Sequence, residues 1–245
     1  MSAADAERLA RDARVASVRP DLVVATTETQ DGPSWNLDRV DQPGRPLSGT
    51  YDYDNGGSGA HIYVLDTGAR TTQAEFAGRI GNGPPGTDNY DCGGHGTAVA
   101  SVAAGTVYGV AKKATVHPIR VIGCDGIGAA ADVLTAIDWV TGSAPRPAVV
   151  NMSWQTGPQE ELDNAIRASI TAGVTYVIAA GNDNNGGCAT SPQRVSEAIG
   201  TVVRASQTMA RASTSSRPAP ASSSEPGPRT MPSERPAAHP CPHRS

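Results

Sequence analysis

The chain contains a single phenylalanine in 245 residues, and aromatic residues make up only 4% of it. Its core must therefore be built from aliphatic and small side chains. No stretch approaches the roughly 18 consecutive apolar residues of a membrane-crossing helix, and the opening MSAADAERLARDAR mixes acids and arginines where a signal peptide carries an apolar run. The expectation is a chain with no membrane contact and no signal peptide. Basic residues are not in excess either, with 20 Lys and Arg against 24 Asp and Glu and a net charge of -4. Domains that coat phosphate backbones concentrate Lys and Arg, so no nucleic acid partner is expected. The four cysteines, at 92, 124, 188 and 241, include no CxxC pair, which argues against zinc.

What is present is unevenly distributed. Val, Ile, Leu and Phe number 21, 10, 7 and 1, and all lie between Leu9 and Val203. Residues 206–245 hold 8 Pro, 9 Ser and 5 Arg with no Val, Ile, Leu, Phe, Tyr or Trp. Such a segment cannot repay the entropy of ordering its backbone, and it reads as a disordered Ser/Pro/Arg-rich tail. It carries +3, which leaves -7 on residues 1–205.

The middle of the chain alternates two periods. Short β-branched runs at 62–65, 115–122, 148–152 and 174–180, bounded by Gly, Pro or Asn, read as buried strands. Between them, 95–105, 129–140 and 159–172 read as helices, the last with Leu162, Ile166 and Ile170 on one face. Strand and helix in strict alternation predict an α/β protein with a mostly parallel sheet covered on both faces. Sites in such sheets gather at the carboxyl ends of strands. Three polar positions meet that test: Asp66 in YVLDTGAR, His95 in GGHGTAVAS and Asn182 in AAGNDN. Singly, each is an ordinary turn or cap residue.

Taken together, these motifs resemble the subtilisin-like serine peptidases, and among them the proteinase K-like branch. The matching stretches are PSWNLDRVDQ at 33–42, SGAHIYVLDTGARTTQAEFAGR at 58–79, CGGHGTAVAS, YGVAKKA at 108–114, AIDWV at 136–140, VVNMSW at 149–154 and VTYVIAAGN, spanning about residues 33–199. The resemblance implies a three-layer, doubly wound, mostly parallel sheet and peptide-bond hydrolysis by an Asp-His-Ser triad. In it Asp66 would orient His95, His95 would act as general base and then acid, and Asn182 would donate to the oxyanion. It also implies peptide or protein substrates, a monomer, an extracellular location and no cofactor for the chemistry.

The resemblance has gaps. The family's nucleophile sits in a Gly-Thr-Ser-Met-Ala type segment, and no such segment occurs here. The expectation is a chain truncated or frameshifted near residue 200, inactive, with a sheet incomplete on its C-terminal side and the strand at 174–180 left at the edge. An inert or binding-only remnant is the alternative. Residues 1–29 resemble the end of an inhibitory prosegment, leaving 30–205 as a partial peptidase domain. By resemblance Cys92 pairs with Cys124, a crosslink worth on the order of 3 to 4 kcal/mol. Asp38, Asp41 and Gln42 lie where relatives can hold a structural calcium through oxygen ligands. The substrate cleft would use Ser153 beside Ala179, Ala180 and Gly181, with Gly126 and Gly128 on the far wall. Gln155 stands where relatives carry a glycine. Gly126 to Ala131 also matches a GxGxxA dinucleotide fingerprint, but no acid lies about 20 residues further on to hold a ribose.

Overall fold

The computed structural model describes residues 3–12, 14, 15, 17, 18, 27–182 and 189–201. The expected tail at 206–245, Cys188 and Cys241, and residues 19–26 of the prosegment-like stretch 1–29 lie outside the described residues. Contacts divide the chain between Asn55 and Gly56. The first unit holds helix α1 (Ala3–Ala10), strand β1 (Glu28–Asp31), helix α2 (Trp35–Val40) and strand β2 (Thr50–Tyr53). β1 and β2 pair antiparallel, with Glu28 opposite Tyr53 and Asp31 opposite Thr50.

The second unit alternates strand and helix as the sequence predicts. Its elements are β3 (His61–Asp66), α3 (His95–Ala104), β4 (Thr115–Arg120), α4 (Ala130–Ser143), β5 (Ala148–Met152), α5 (Glu160–Thr171), β6 (Thr175–Ala179) and β7 (Ile199–Thr201). The five strands form one sheet in the order β4-β3-β5-β6-β7, and every pairing is parallel. Both faces of β3 are buried because successive side chains point oppositely. Tyr63 and Leu65 pack with Val133, Ile137 and Val140 of α4 and Leu162 and Ile166 of α5. Val64 faces the other way, toward Ala100 and Ala104 of α3, Val116 of β4 and Phe76. The fold is thus a three-layer α/β sandwich.

Three boundaries differ from the sequence reading. β4 stops at Arg120 because the next two N–H groups, of Val121 and Ile122, both turn to the Asp66 carbonyl, at 2.9 and 3.1 Å. α4 runs three residues past Val140, where Thr141 is accommodated by donating back to the Ile137 carbonyl at 2.7 Å. The edge expected at 174–180 is covered: Val177, Ile178 and Ala179 of β6 pair with Ile199, Gly200 and Thr201 of β7. The segment before β7 is anchored in turn. Thr156 and Ser191 exchange backbone hydrogen bonds, and the guanidinium of Arg194 meets the buried carboxylate of Asp163 on α5.

Candidate active site

Asp66 is the last residue of β3, the strand that lies between β4 and β5, and its side chain is fully buried. His95 is the first residue of α3. The two meet at 2.7 Å, His95 Nδ1 to Asp66 Oδ1, and the same oxygen accepts the Thr67 N–H at 2.7 Å. A carboxylate only accepts, so Nδ1 carries the proton of this bond and Nε2 presents its lone pair. The His95 side chain is 55% exposed while Asp66 is 0% exposed. The pair is therefore a buried acceptor that fixes the tautomer of a solvent-facing imidazole. Among the described residues, no hydroxyl is hydrogen-bonded to Nε2.

Local backbone chemistry sets this geometry. The α3 start is preceded by Gly94, whose φ of 86° is the left-handed region that glycine tolerates. Gly96 must lack a side chain, because a Cβ there would lie 2.2 Å from the Gly68 carbonyl oxygen. That close approach presses the first turn of α3 against the exit of β3. Gly94 supplies no side-chain cap, and the orphan N–H groups of the helix are met from outside it. The Gly96 N–H donates to Thr67 Oγ1 at 2.8 Å and the Thr97 N–H to Asp91 Oδ2 at 2.9 Å.

Asp91 escaped the sequence reading. It is fully buried, and its carboxylate accepts from the Thr67 hydroxyl, the Gly93 and Gly94 N–H groups, and both the N–H and hydroxyl of Thr97. Burial would raise its pKa, but the hydrogen bonds from Thr97, Gly94 and Thr67 prevail and lower it to about 2. The available signal was an acid three residues before a glycine at a helix start, with a threonine six residues on. The next residue, Cys92, is bonded to Cys124 beyond β4, with 5.4 Å between their Cα atoms.

The proposed cleft residues fall on neighbouring strand exits. Ser153 follows β5 and accepts a hydrogen bond from the Asn151 amide at 2.9 Å. Ala179 ends β6, and Ala180 and Gly181 follow it. Trp154, next to Ser153, donates its indole N–H to the Leu65 carbonyl at 2.8 Å, tying the β5 exit to β3. Gln193, which the sequence did not single out, donates to the carbonyls of Trp154 and Ala179, both at 2.9 Å, and so spans the two exits. The Gln155 amide oxygen sits 2.3 Å from where a Gly181 Cβ would be, so its side chain rests on the Gly181 backbone. Asn182 is exposed at the end of the described segment. Gly128 lies against the Val121 carbonyl and lines a cleft of about 330 Å³ with Arg120, Ile127 and Asp132, while Gly126 is exposed with a φ of 80°. Nine residues separate β4 from α4, so Gly126 to Ala131 is not the tight strand-to-helix turn that cradles a pyrophosphate.

In the first unit, Asp38, Asp41 and Gln42 are engaged by the chain itself. Asp38 accepts the Ser48 and Gly49 N–H groups, one on each oxygen, and Asp41 accepts the Asp52 N–H. The Gln42 amide donates to the carbonyls of Gly44 and Pro46 and accepts from the Ser48 N–H. Asp38 Oδ1 and Oδ2, Asp41 Oδ2 and Gln42 Oε1 each face an N–H donor, an arrangement that does not fit ligands converging on a cation. Among the described residues, no group of three His, Cys, Asp or Glu could hold a metal ion.

Comparison with known proteins places this geometry. The profile of the subtilase family matches residues 57–233. An extracellular serine proteinase of Thermus sp. (strain Rt41A) is 48% identical over 196 residues, covering 78% of this chain and 48% of that protein. Alkaline serine exoprotease A of Vibrio alginolyticus is 39% identical over 204 residues, covering 82% of this chain and 38% of that one. The crystal structure of a cold adapted subtilisin-like serine proteinase superposes with a TM-score of 0.67 at 40% identity, covering 69% of this chain and 64% of that one. The chain spans half or less of the length of these two curated relatives.

Proposed function

The chain belongs to the subtilase family, and from that premise we propose that Asp66 and His95 are the acid and base of a proteinase K-like serine peptidase triad acting on peptide or protein substrates outside the cell. The observation that carries this reading is the 2.7 Å bond from Nδ1 to the buried Asp66 carboxylate, which leaves Nε2 facing solvent. In that role Nε2 takes the proton of a nucleophilic hydroxyl as it attacks the peptide carbonyl, then returns it to the departing amine. Asp66 stabilises the imidazolium formed between the two steps. Asn182 would donate to the oxyanion, and the exits of β5 and β6 would flank the peptide. These steps are proton transfer and hydrogen bonding, and they call on no cofactor.

The hydroxyl is the missing part. No Gly-Thr-Ser-Met-Ala segment occurs in the 245 residues. The proposal is therefore that the 245-residue chain binds peptide without turning it over, as a monomer. The experiment is to incubate the purified chain with casein and with fluorogenic peptides, and to follow peptide binding by fluorescence anisotropy. Binding without release of product supports the reading. Turnover lost in both Asp66→Asn and His95→Ala would show an active triad and refute the inactivity, while failure to bind any peptide would refute the cleft.

A further inference from the structure

We infer that Asp91, acting with Thr67, is a positioning residue that holds the imidazole of His95 on Asp66. This deepens the reading of Asp66 and His95 as a catalytic pair and rests on it. Asp91 is buried in the loop between β3 and α3, and the Arg70 guanidinium reaches only its backbone carbonyl, at 3.4 Å; the five groups its carboxylate accepts from are all backbone N–H or threonine hydroxyl donors. A buried carboxylate without an ion pair is costly unless such donors converge on it.

Their placement explains why an acid stands there. One oxygen takes the hydroxyl of Thr67, the residue joined directly to Asp66, and the N–H groups of Gly93 and Gly94, on the approach to His95. The other takes the N–H and hydroxyl of Thr97, just beyond His95. Thr67 closes the ring by accepting the Gly96 N–H at 2.8 Å. Thr67 after Asp66, and Gly94 and Gly96 on either side of His95, are thus fixed to one carboxylate, directly or through Thr67. Its negative charge also lies at the N-terminus of a ten-residue helix, where the helix dipole favours it. With the two backbone segments locked, the imidazole needs no search to find Oδ1. Without Asp91, two glycines before His95 would leave the start of α3 free to pivot.

The test is NMR on the full chain labelled with nitrogen-15, reading the low-field imidazole Nδ1–H proton of His95, assigned by its loss in Asp66→Asn. We expect that resonance in the wild type. In Asp91→Asn it should be lost to solvent exchange, at a temperature where the amide spectrum stays folded. Thr67→Val, which removes one hydroxyl and leaves four donors on Asp91, should shift it upfield and broaden it, and Thr67→Ser should restore it. These two variants keep the inference testable if Asp91→Asn does not fold. A resonance unchanged in both Thr67→Val and a folded Asp91→Asn, or in Thr67→Val where Asp91→Asn does not fold, would overturn the inference while leaving the catalytic pair intact. Absence of the resonance in the wild type would instead overturn the pair itself.

Discussion

Acid should weaken this fold through one buried side chain, His117. His117 is 5% exposed in β4. Its Nδ1 donates to the Asn82 carbonyl at 2.6 Å, so in the neutral ring Nε2 accepts from His61 Nδ1 at 2.9 Å. Tyr63 stacks on the ring at 4.2 Å and Gly81 leaves no room behind it. Protonation at Nε2 would place a charge on a buried ring and would require His61 to give up its Nδ1 proton. Burial lowers the His117 pKa, the hydrogen bond to Asn82 raises it, and the neighbouring His61 lowers it further, with a net shift downward. In the unfolded chain the group titrates near 6.5. Below that value the unfolded state binds a proton that the folded state resists, so stability falls with pH, at up to about 1.4 kcal/mol per pH unit, until the folded ring titrates as well. Above pH 6.5 the contribution vanishes. The assay is urea unfolding at pH 7.5 and 5.0 for the wild type and His117→Gln, whose amide can still donate to Asn82 and accept from His61. The wild type should lose more stability than the variant on acidification. Equal losses would refute the tautomer argument.

Other expectations follow from the same contacts. Gly96→Ala should cost on the order of 1 to 3 kcal/mol in a thermal melt, because the new methyl meets a backbone carbonyl at 2.2 Å. Reducing the crosslink between Cys92 and Cys124 should lower stability by roughly 3 to 4 kcal/mol, measured by unfolding with and without reductant. Asp91 should supply stability that is fully present above pH 4 and lost as pH falls toward about 2, so Asp91→Asn should flatten the acid limb of the stability profile in that window. Calcium added or chelated should leave the melting temperature unchanged, since Asp38 and Gln42 already face backbone N–H groups.

The parts of the fold legible in the sequence are those where burial on two faces demanded contiguous β-branched residues. β3, β5 and β6 could be read within about a residue, and α5 from Leu162 and Ile166. The short strands were not legible. ETQD and TYDY of β1 and β2 are largely polar, and the three-residue β7 carries no period at all. Asp66 and His95 stood out because each breaks an apolar or small-residue pattern at the end of a strand or the start of a helix. Gln193 did not, because its partners are the backbone carbonyls of two strand exits far from it in sequence, and Asp91 did not, because its link to Thr67 spans 24 residues and only the nearer spacing to Gly94 and Thr97 lies along the chain. Gln155 could be singled out as a departure from relatives, but its seat on Gly181 depends on the turn at φ 88°.

Asp66 and His95 are proposed above as a peptidase acid and base that lack an activated nucleophile. A fluorophosphonate probe tests this proposal most directly, since the reagent phosphonylates a serine hydroxyl only when a neighbouring base withdraws its proton. Purified chain incubated with the probe and read by intact mass should show no adduct, in the wild type as in His95→Ala. A stoichiometric adduct in the wild type that disappears in His95→Ala, mapped by peptide mass to any serine of the 245 residues, would contradict it.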